Sequence, residues 1–266
     1  MPSRMIDGTE MHFAEAGEGP PLVLVHGTLL DQRYWEPQMA AFAARYHVYA
    51  LSLRHYWPEA WDGVGDDFTI AQHAEDVAAF MASLGGKARL IGHSRGGHIS
   101  FRVAGAHPEL IEELVLAEPG GELDESLGGK PPSGAQAAGF ARAAAEIAAG
   151  RIDAGLRMVA EQTGGVGAFD RRSARRNAIA RDNARTLLGQ VHENRLPFSR
   201  ASAEAVTART LLVNGDQTQQ NFITNCEALV EAMPDARRVV IPNAKHSMSD
   251  DNPEAFNNAV LEFFSA

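Results

Sequence analysis

Ser94 lies at the centre of Gly92-His93-Ser94-Arg95-Gly96, between an apolar run ending at Ile91 and an amphipathic pattern that starts a few residues later. A serine hydroxyl is a weak nucleophile until a base within hydrogen-bond reach takes its proton. On a sharp strand-to-helix turn, glycines on either side let the backbone close without Cβ clashes and lift the serine oxygen out of the sheet. Among the ten histidines, His246 follows the last short apolar run and precedes the final helical pattern. That places it in the order serine, acid, histidine used by nucleophilic triads. Two carboxylates can be the acid. Glu118 ends the apolar run Leu114 to Ala117 and precedes Pro119, whereas Asp216 comes one residue after Gly215. A carboxylate at the end of a buried strand is costly unless it finds a partner, and an imidazolium is a suitable one. Strand position favours Glu118, with Asp216 as the alternative. The chemistry open to such a set is two-step acyl transfer, which requires neither metal nor organic cofactor.

The elements that must position these groups alternate along the chain. Leu22 to Val25, Val48 to Leu53, Arg89 to Ile91, Leu114 to Ala117, Leu211 to Val213 and Val239 to Ile241 are short, apolar and bounded by Gly, Pro or charge. Such runs suit buried strands of a parallel sheet. Helical periodicity links Ile70, Ala74, Val77, Met81 and Leu84 behind a Thr69-x-x-Gln72 capping box, with Gly85-Gly86 as the stop. Ile99, Val103 and Ala106 mark the helix after Ser94, and Phe256, Val260 and Phe263 the helix opening at Asn252-Pro253. The expectation is an α/β fold: a mostly parallel, eight-stranded type of sheet flanked by helices. From about Gly120 to Ala208 no strand-like run occurs, and Ala137 to Ala149 and Arg171 to Leu188 read as helices. A core made of 1–119 and 209–266, with a helical lid of 120–208 inserted after the sixth strand, accounts for this pattern. Arg171, Arg172, Arg175, Arg176, Arg181 and Arg185 in the lid read as a solvated helix face rather than an anion gate.

Composition narrows the partners. The 266 residues are 45% hydrophobic and 22% charged, a balance suited to a globular enzyme acting on a small molecule. A net charge of −10 argues against nucleic acid, whose phosphates call for a basic stripe. No apolar run approaches the roughly 18 to 20 residues that cross a bilayer, and the first residues lack a signal-like apolar stretch. Cys226 is the single cysteine, so an intramolecular disulfide or a cysteine zinc site is not expected. A cytoplasmic monomer or homodimer is the default expectation.

Over nearly its full length the chain resembles the α/β-hydrolases. His26-Gly27 after the first long strand, with Trp35 nine residues beyond His26, is similar to that family's H-G-x…W loop. The resemblance implies an oxyanion hole made by the backbone N–H groups of Thr28 and Arg95, and His246 as catalytic base. It also implies that the acid normally lies about three residues past the glycine after the seventh strand, where this chain has Thr218. The family's other location for the acid corresponds to Glu118. That arrangement is similar to the zearalenone-type lactonases, which pair a serine with a glutamate after the sixth strand. After the fourth strand the family's D-x-x-G-x-G-x-S loop is replaced by Leu53-Arg54-His55-Tyr56-Trp57-Pro58-Glu59-Ala60-Trp61. His55, Tyr56, Trp57 and Trp61, together with Gly27, are expected at the substrate site, although the aromatics could equally pack the lid onto the core. The implied activity is hydrolysis of a carboxylic ester or lactone of a small, apolar substrate. Carbon–carbon bond hydrolysis, perhydrolysis, cofactor-free dioxygenation and ligand reception without turnover are alternatives on the same fold. An aspartate-nucleophile epoxide hydrolase or dehalogenase is disfavoured by a serine at position 94.

Overall fold

Eight strands form one sheet in the order β1-β2-β4-β3-β5-β6-β7-β8: β1 Ser3–Ile6, β2 Thr9–Ala16, β3 Pro21–Val25, β4 His47–Leu51, β5 Ala88–His93, β6 Ile111–Ala117, β7 Arg209–Gly215 and β8 Ala236–Ile241. Pairing is parallel from β4 through β8 and antiparallel for β1 with β2 and for β2 with β4. This computed structural model describes residues 1–131 and 135–265, so residues 132–134 of the expected lid and Ala266 of the expected core lie outside the described residues. The antiparallel edge begins with a two-residue turn in which Asp7 and Gly8 both have positive φ, 46° and 84°. Such a turn matches the twist of a hairpin.

Successive residues of a strand face opposite sides of the sheet. Leu22 and Leu24 of β3 accordingly pack with Phe42 of α1 (Glu36–Ala43) and with the C-terminal Phe256, Val260 and Phe263. Val23 and Val25 pack on the other side with Val77 and Phe80 of α2 (Ile70–Ala82) and Ile99 and Val103 of α3 (Arg95–Ala106). The Thr69 hydroxyl accepts from Gln72 N–H at 3.0 Å and caps α2, but the Gln72 side chain bonds Asp76 at 3.0 Å instead of completing a capping box.

Among the described residues six α-helices lie between β6 and β7: α4 Ala135–Ala148, α5 Ile152–Gly164, α6 Ala168–Arg171, α7 Ala174–Asp182, α8 Thr186–Gln190 and α9 Arg200–Glu204. Helices α4 to α8 share a buried cluster that includes Phe140, Leu156, Val159, Phe169 and Leu187, and Leu29 of the core enters it, whereas Ala203 of α9 packs with the core. The base of the insertion is closed by a strand-like bridge between Leu123 and Phe198, a pairing the sequence reading did not anticipate. The chain ends with α10 Gln220–Ala232, α11 Met248–Asp251 and α12 Pro253–Ser265.

The junction of β5 with α3 depends on missing side-chain atoms. A Cβ on Gly96 would lie 2.3 Å from the His26 carbonyl oxygen and 2.4 Å from that of Val25. Both obstacles are backbone, so Gly96→Ala should cost about 2–3 kcal/mol as overpacking that cannot relax. Gly86→Ala, where nothing lies within 4 Å, should be neutral to slightly stabilising. Urea unfolding of the two variants checks the contrast; equal midpoints would contradict it.

Candidate active site

Ser94 has φ 55° and ψ −117°, a conformation that L-residues avoid and that a surrounding structure must enforce. Its N–H donates to the Ala117 carbonyl at 2.9 Å, and its own carbonyl accepts from His98 N–H at 3.0 Å and Gly120 N–H at 2.9 Å. These bonds fix the turn between β5 and α3, and the Ser94 hydroxyl lies 3.0 Å from His246 Nε2.

His246 sits in the loop between β8 and α11. The Asp216 carboxylate accepts from Ala244 N–H at 3.0 Å, Gln217 N–H donates to the Ala244 carbonyl at 2.9 Å, and the Asp251 carboxylate accepts from Lys245 N–H at 2.8 Å. His93 Nε2–H donates to the His246 carbonyl at 2.8 Å, and the Phe222 ring stacks on the imidazole with centroids 4.0 Å apart. On the far side of the ring, His246 Nδ1–H meets Glu118 Oε2 at 2.6 Å.

Glu118 is fully buried and has φ 45°, so the strand breaks at the carboxylate and turns it back across the sheet edge. Besides His246, the carboxylate accepts from Gly215 N–H at 2.9 Å and from the Thr218 hydroxyl at 2.8 Å. The structure therefore brings Ser94, His246 and Glu118 together. Asp216 is exposed and serves the His246 loop through a backbone contact. Thr218, read from the sequence only as a position lacking an acid, is a hydrogen-bond donor to the acid that is present. Phe222 and His93 were not singled out; helical spacing alone does not show that Phe222 covers an imidazole.

Gly27 and Thr28 reach the same point. A Cβ on Gly27 would lie 3.0 Å from Ser94 Cβ, so this loop packs directly against the serine turn. His26 fixes the loop: its Nδ1–H donates to the Gly27 carbonyl at 2.9 Å and its Nε2 accepts from Leu53 N–H at 3.1 Å. The Arg95 N–H belongs to the first turn of α3, whose donors have no intrahelical acceptor. Its side chain is buried elsewhere, paired with Glu193 of the insertion and donating to His73 Nδ1 at 2.8 Å.

A cavity of about 390 Å³ opens onto Ser94 and His246 between the sheet edge and the insertion, with Thr28 on one wall and Phe140, Val159 and Arg176 on the other. His55, Tyr56, Trp57 and Trp61 do not line it. His55 stacks on Trp61, which stacks in turn on Phe68, Tyr56 packs edge-on against His26, and the Arg33 guanidinium lies 3.8 Å from the Trp57 ring centre. Trp57 N–H donates to Asn183 Oδ1 at 2.7 Å. Trp57 and Trp61 thus sit where the insertion meets the core. The arginine run is likewise not one solvated face: Arg171 and Arg181 are exposed, whereas Arg176 is 6% exposed. Among the described residues no group of three or more His, Cys, Asp or Glu could hold a metal ion, and no helix is long and apolar enough to cross a membrane.

A family model described as the alpha/beta hydrolase family matches residues 22–259. The soluble epoxide hydrolase of Corynebacterium sp. is 34% identical over 121 residues, 43% of this chain and 40% of that protein. The (E)-2-((N-methylformamido)methylene)succinate hydrolase of Acinetobacter baylyi is 29% identical over 106 residues, 40% of either chain. The chain thus spans about two fifths of the length of these curated relatives. Among solved structures, the enol-lactonase from Burkholderia xenovorans LB400 superposes with a TM-score of 0.81 over 100% of both chains at 21% identity, a likeness of fold.

Four histidines around the site are buried and neutral. Burial pushes His26 down to about 4. His73, His93 and His98 are held well below 6.5 by burial first, then by Arg95, His246 and Arg195 respectively. An unfolded chain takes up these protons first, so stability falls as pH drops below 6.5, and for His26 the loss is complete near 4. Each such group contributes at most about 1.4 kcal/mol per pH unit. His55 has the opposite sign: burial opposes its protonation, but Glu59 and Asp67 raise its pKa. The prediction is a net loss of unfolding free energy from pH 7 to pH 5, measured by urea titration. A flat profile would contradict it.

Proposed function

The chain belongs to the alpha/beta hydrolase family, and from that premise we propose that it hydrolyses a carboxylic ester or lactone of a small molecule through an acyl intermediate on Ser94. The observation that carries this reading is the unbroken hydrogen-bond path from Ser94 through His246 to Glu118, which opens on a cavity bordered by Thr28. His246 Nε2 takes the Ser94 proton as the oxygen attacks the carbonyl carbon. The oxyanion is held by the N–H groups of Thr28 and Arg95. Collapse breaks the bond to the leaving oxygen, which receives the proton from His246, and leaves the acyl group on Ser94. Water then attacks, giving its proton to the same nitrogen, and the acid departs as Ser94 is reprotonated. Glu118 remains ionised throughout, holding Nδ1–H and stabilising the imidazolium.

Epoxide opening, the activity named for one relative, does not suit this nucleophile: a serine oxygen attacking an epoxide carbon would leave an ether, with no carbonyl through which water could release the product. In this reading residues 120–208 act as the lid, since Phe140 and Val159 face the cavity and bound the acyl group.

Glu118→Gln should lower kcat by about 10³–10⁴, because an amide at Nδ1 favours the wrong tautomer. Asp216→Asn keeps the oxygen that accepts from Ala244 and should change kcat little. Ester kinetics, with thermal melts to show that both variants fold, make the comparison. Loss of activity confined to Asp216→Asn would reverse the assignment of the acid.

A further inference from the structure

The lid arginines are not equivalent. Arg171 donates to the Val166 carbonyl at 2.8 Å, Arg185 to that of Asp62 at 3.1 Å, Arg181 forms a two-pronged pair with Asp153, and Arg175 reaches Asp250 and the Arg33 carbonyl. Arg172 and Arg176 differ from these. Arg176 is 6% exposed; its Nη2–H donates to the Ser247 hydroxyl at 3.1 Å, its guanidinium lies 4.7 Å from the Tyr34 ring centre, and its Nη1 is buried with no acceptor. Arg172 has no hydrogen-bond or ion-pair partner among the described residues, and burial, then Arg176, lowers its pKa to about 10. Both line the cavity that holds Ser94 and His246.

A buried guanidinium without an anion is costly, and a second, half-buried one facing the same cavity compounds the cost. The nearby carboxylates Asp250 and Asp251 relieve it only in part, acting on Arg172 without a direct pair. Asp250 is paired with Arg175, and Asp251 accepts from Lys245 N–H. The chain as a whole carries −10, so the local positive charge runs against the overall field. Arginine presents its N–H donors in a planar fork that fits a carboxylate. The two aspartates bordering the same cavity disfavour an anion of higher charge.

We propose that Arg172 and Arg176 bind a free carboxylate of the substrate, so that the ester or lactone opened at Ser94 is part of a molecule bearing a second, ionised acid group. This deepens the hydrolase reading and rests on it. Because Arg176 holds Ser247, the neighbour of His246, the bound carboxylate lies beside the catalytic base and fixes which carbonyl faces Ser94.

Two substrate pairs test the proposal on the full-length protein: mono-4-nitrophenyl adipate against its methyl ester, and 4-acetoxybenzoate against methyl 4-acetoxybenzoate. The first places the carboxylate in the acyl part, the second in the leaving group. In at least one pair kcat/KM should favour the acid by about 10- to 100-fold, the range of a charged hydrogen bond. Arg172→Gln and Arg176→Gln should each reduce that ratio about tenfold, and Arg176→Lys should retain part of it. If Arg176→Gln does not fold, the more exposed Arg172→Gln gives the same reading. A ratio at or below one in both pairs, or ratios unchanged in the variants, overturns the proposal while leaving the hydrolase reading intact if the neutral esters are cleaved. If no ester is cleaved the hydrolase reading fails, and adipate binding then decides: a rise in melting temperature that Arg172→Gln abolishes supports the anion site, and no rise overturns it.

Discussion

A carboxylate with no exposure to solvent closes the end of β6, and the site is arranged around keeping it ionised and partnered. Glu118 accepts from Gly215 at the end of β7, from Thr218 in the following loop, and from His246 after β8. Those donors come from two separate stretches of chain, 215–218 and the loop after β8, so one buried charge sets the position of both relative to the end of β6. Without them the charge would cost several kcal/mol. With them it holds the imidazole in the tautomer whose Nε2 faces Ser94. The positive φ of both Glu118 and Ser94 belongs to the same constraint: each strand end turns sharply so that its side chain reaches over the sheet edge.

The insertion is tied to the core through the loops that form the site. Leu29, next to Thr28, enters the insertion's apolar cluster with φ 58°. Asp31, fully buried, accepts from Arg33 and from Asn183 of the insertion at 2.6 Å, and Asn183 in turn accepts from Trp57 N–H. Arg95, adjacent to Ser94, is paired with Glu193. A displacement of the insertion would therefore be felt at both proposed oxyanion donors, which couples cavity shape to the geometry around Ser94.

Much of this was legible because the chemistry-bearing residues sit in narrow local contexts. Gly92-His93-Ser94-Arg95-Gly96 requires a tight turn, and the atoms 2.3–2.4 Å from a Cβ on Gly96 show why only glycine is tolerated there. Glu118 was conspicuous as a charge at the end of an apolar run, and Thr218 as a position without an acid. What could not be read depended on long-range docking. The aromatic loop from His55 to Trp61 suits a pocket wall and a packing layer equally by composition, and Phe68 and α8 decide between them. The arginine run looked uniform because burial of Arg176 arises from α7 meeting Tyr34 and Ser247, far away in sequence. The β1–β2 hairpin carries an Asp7-Gly8 turn, but β1 is short and much of both strands is exposed, which blurs the alternation.

In the proposed mechanism the Glu118 and His246 arrangement makes Ser94 nucleophilic. Its most direct test is the rate at which a fluorophosphonate modifies the protein, followed by intact mass and peptide mapping. A single adduct on Ser94 is expected, formed at similar rates in the wild type and in Asp216→Asn and far more slowly in Glu118→Gln. An adduct at another residue, or equal labelling rates in Glu118→Gln and the wild type, would contradict it.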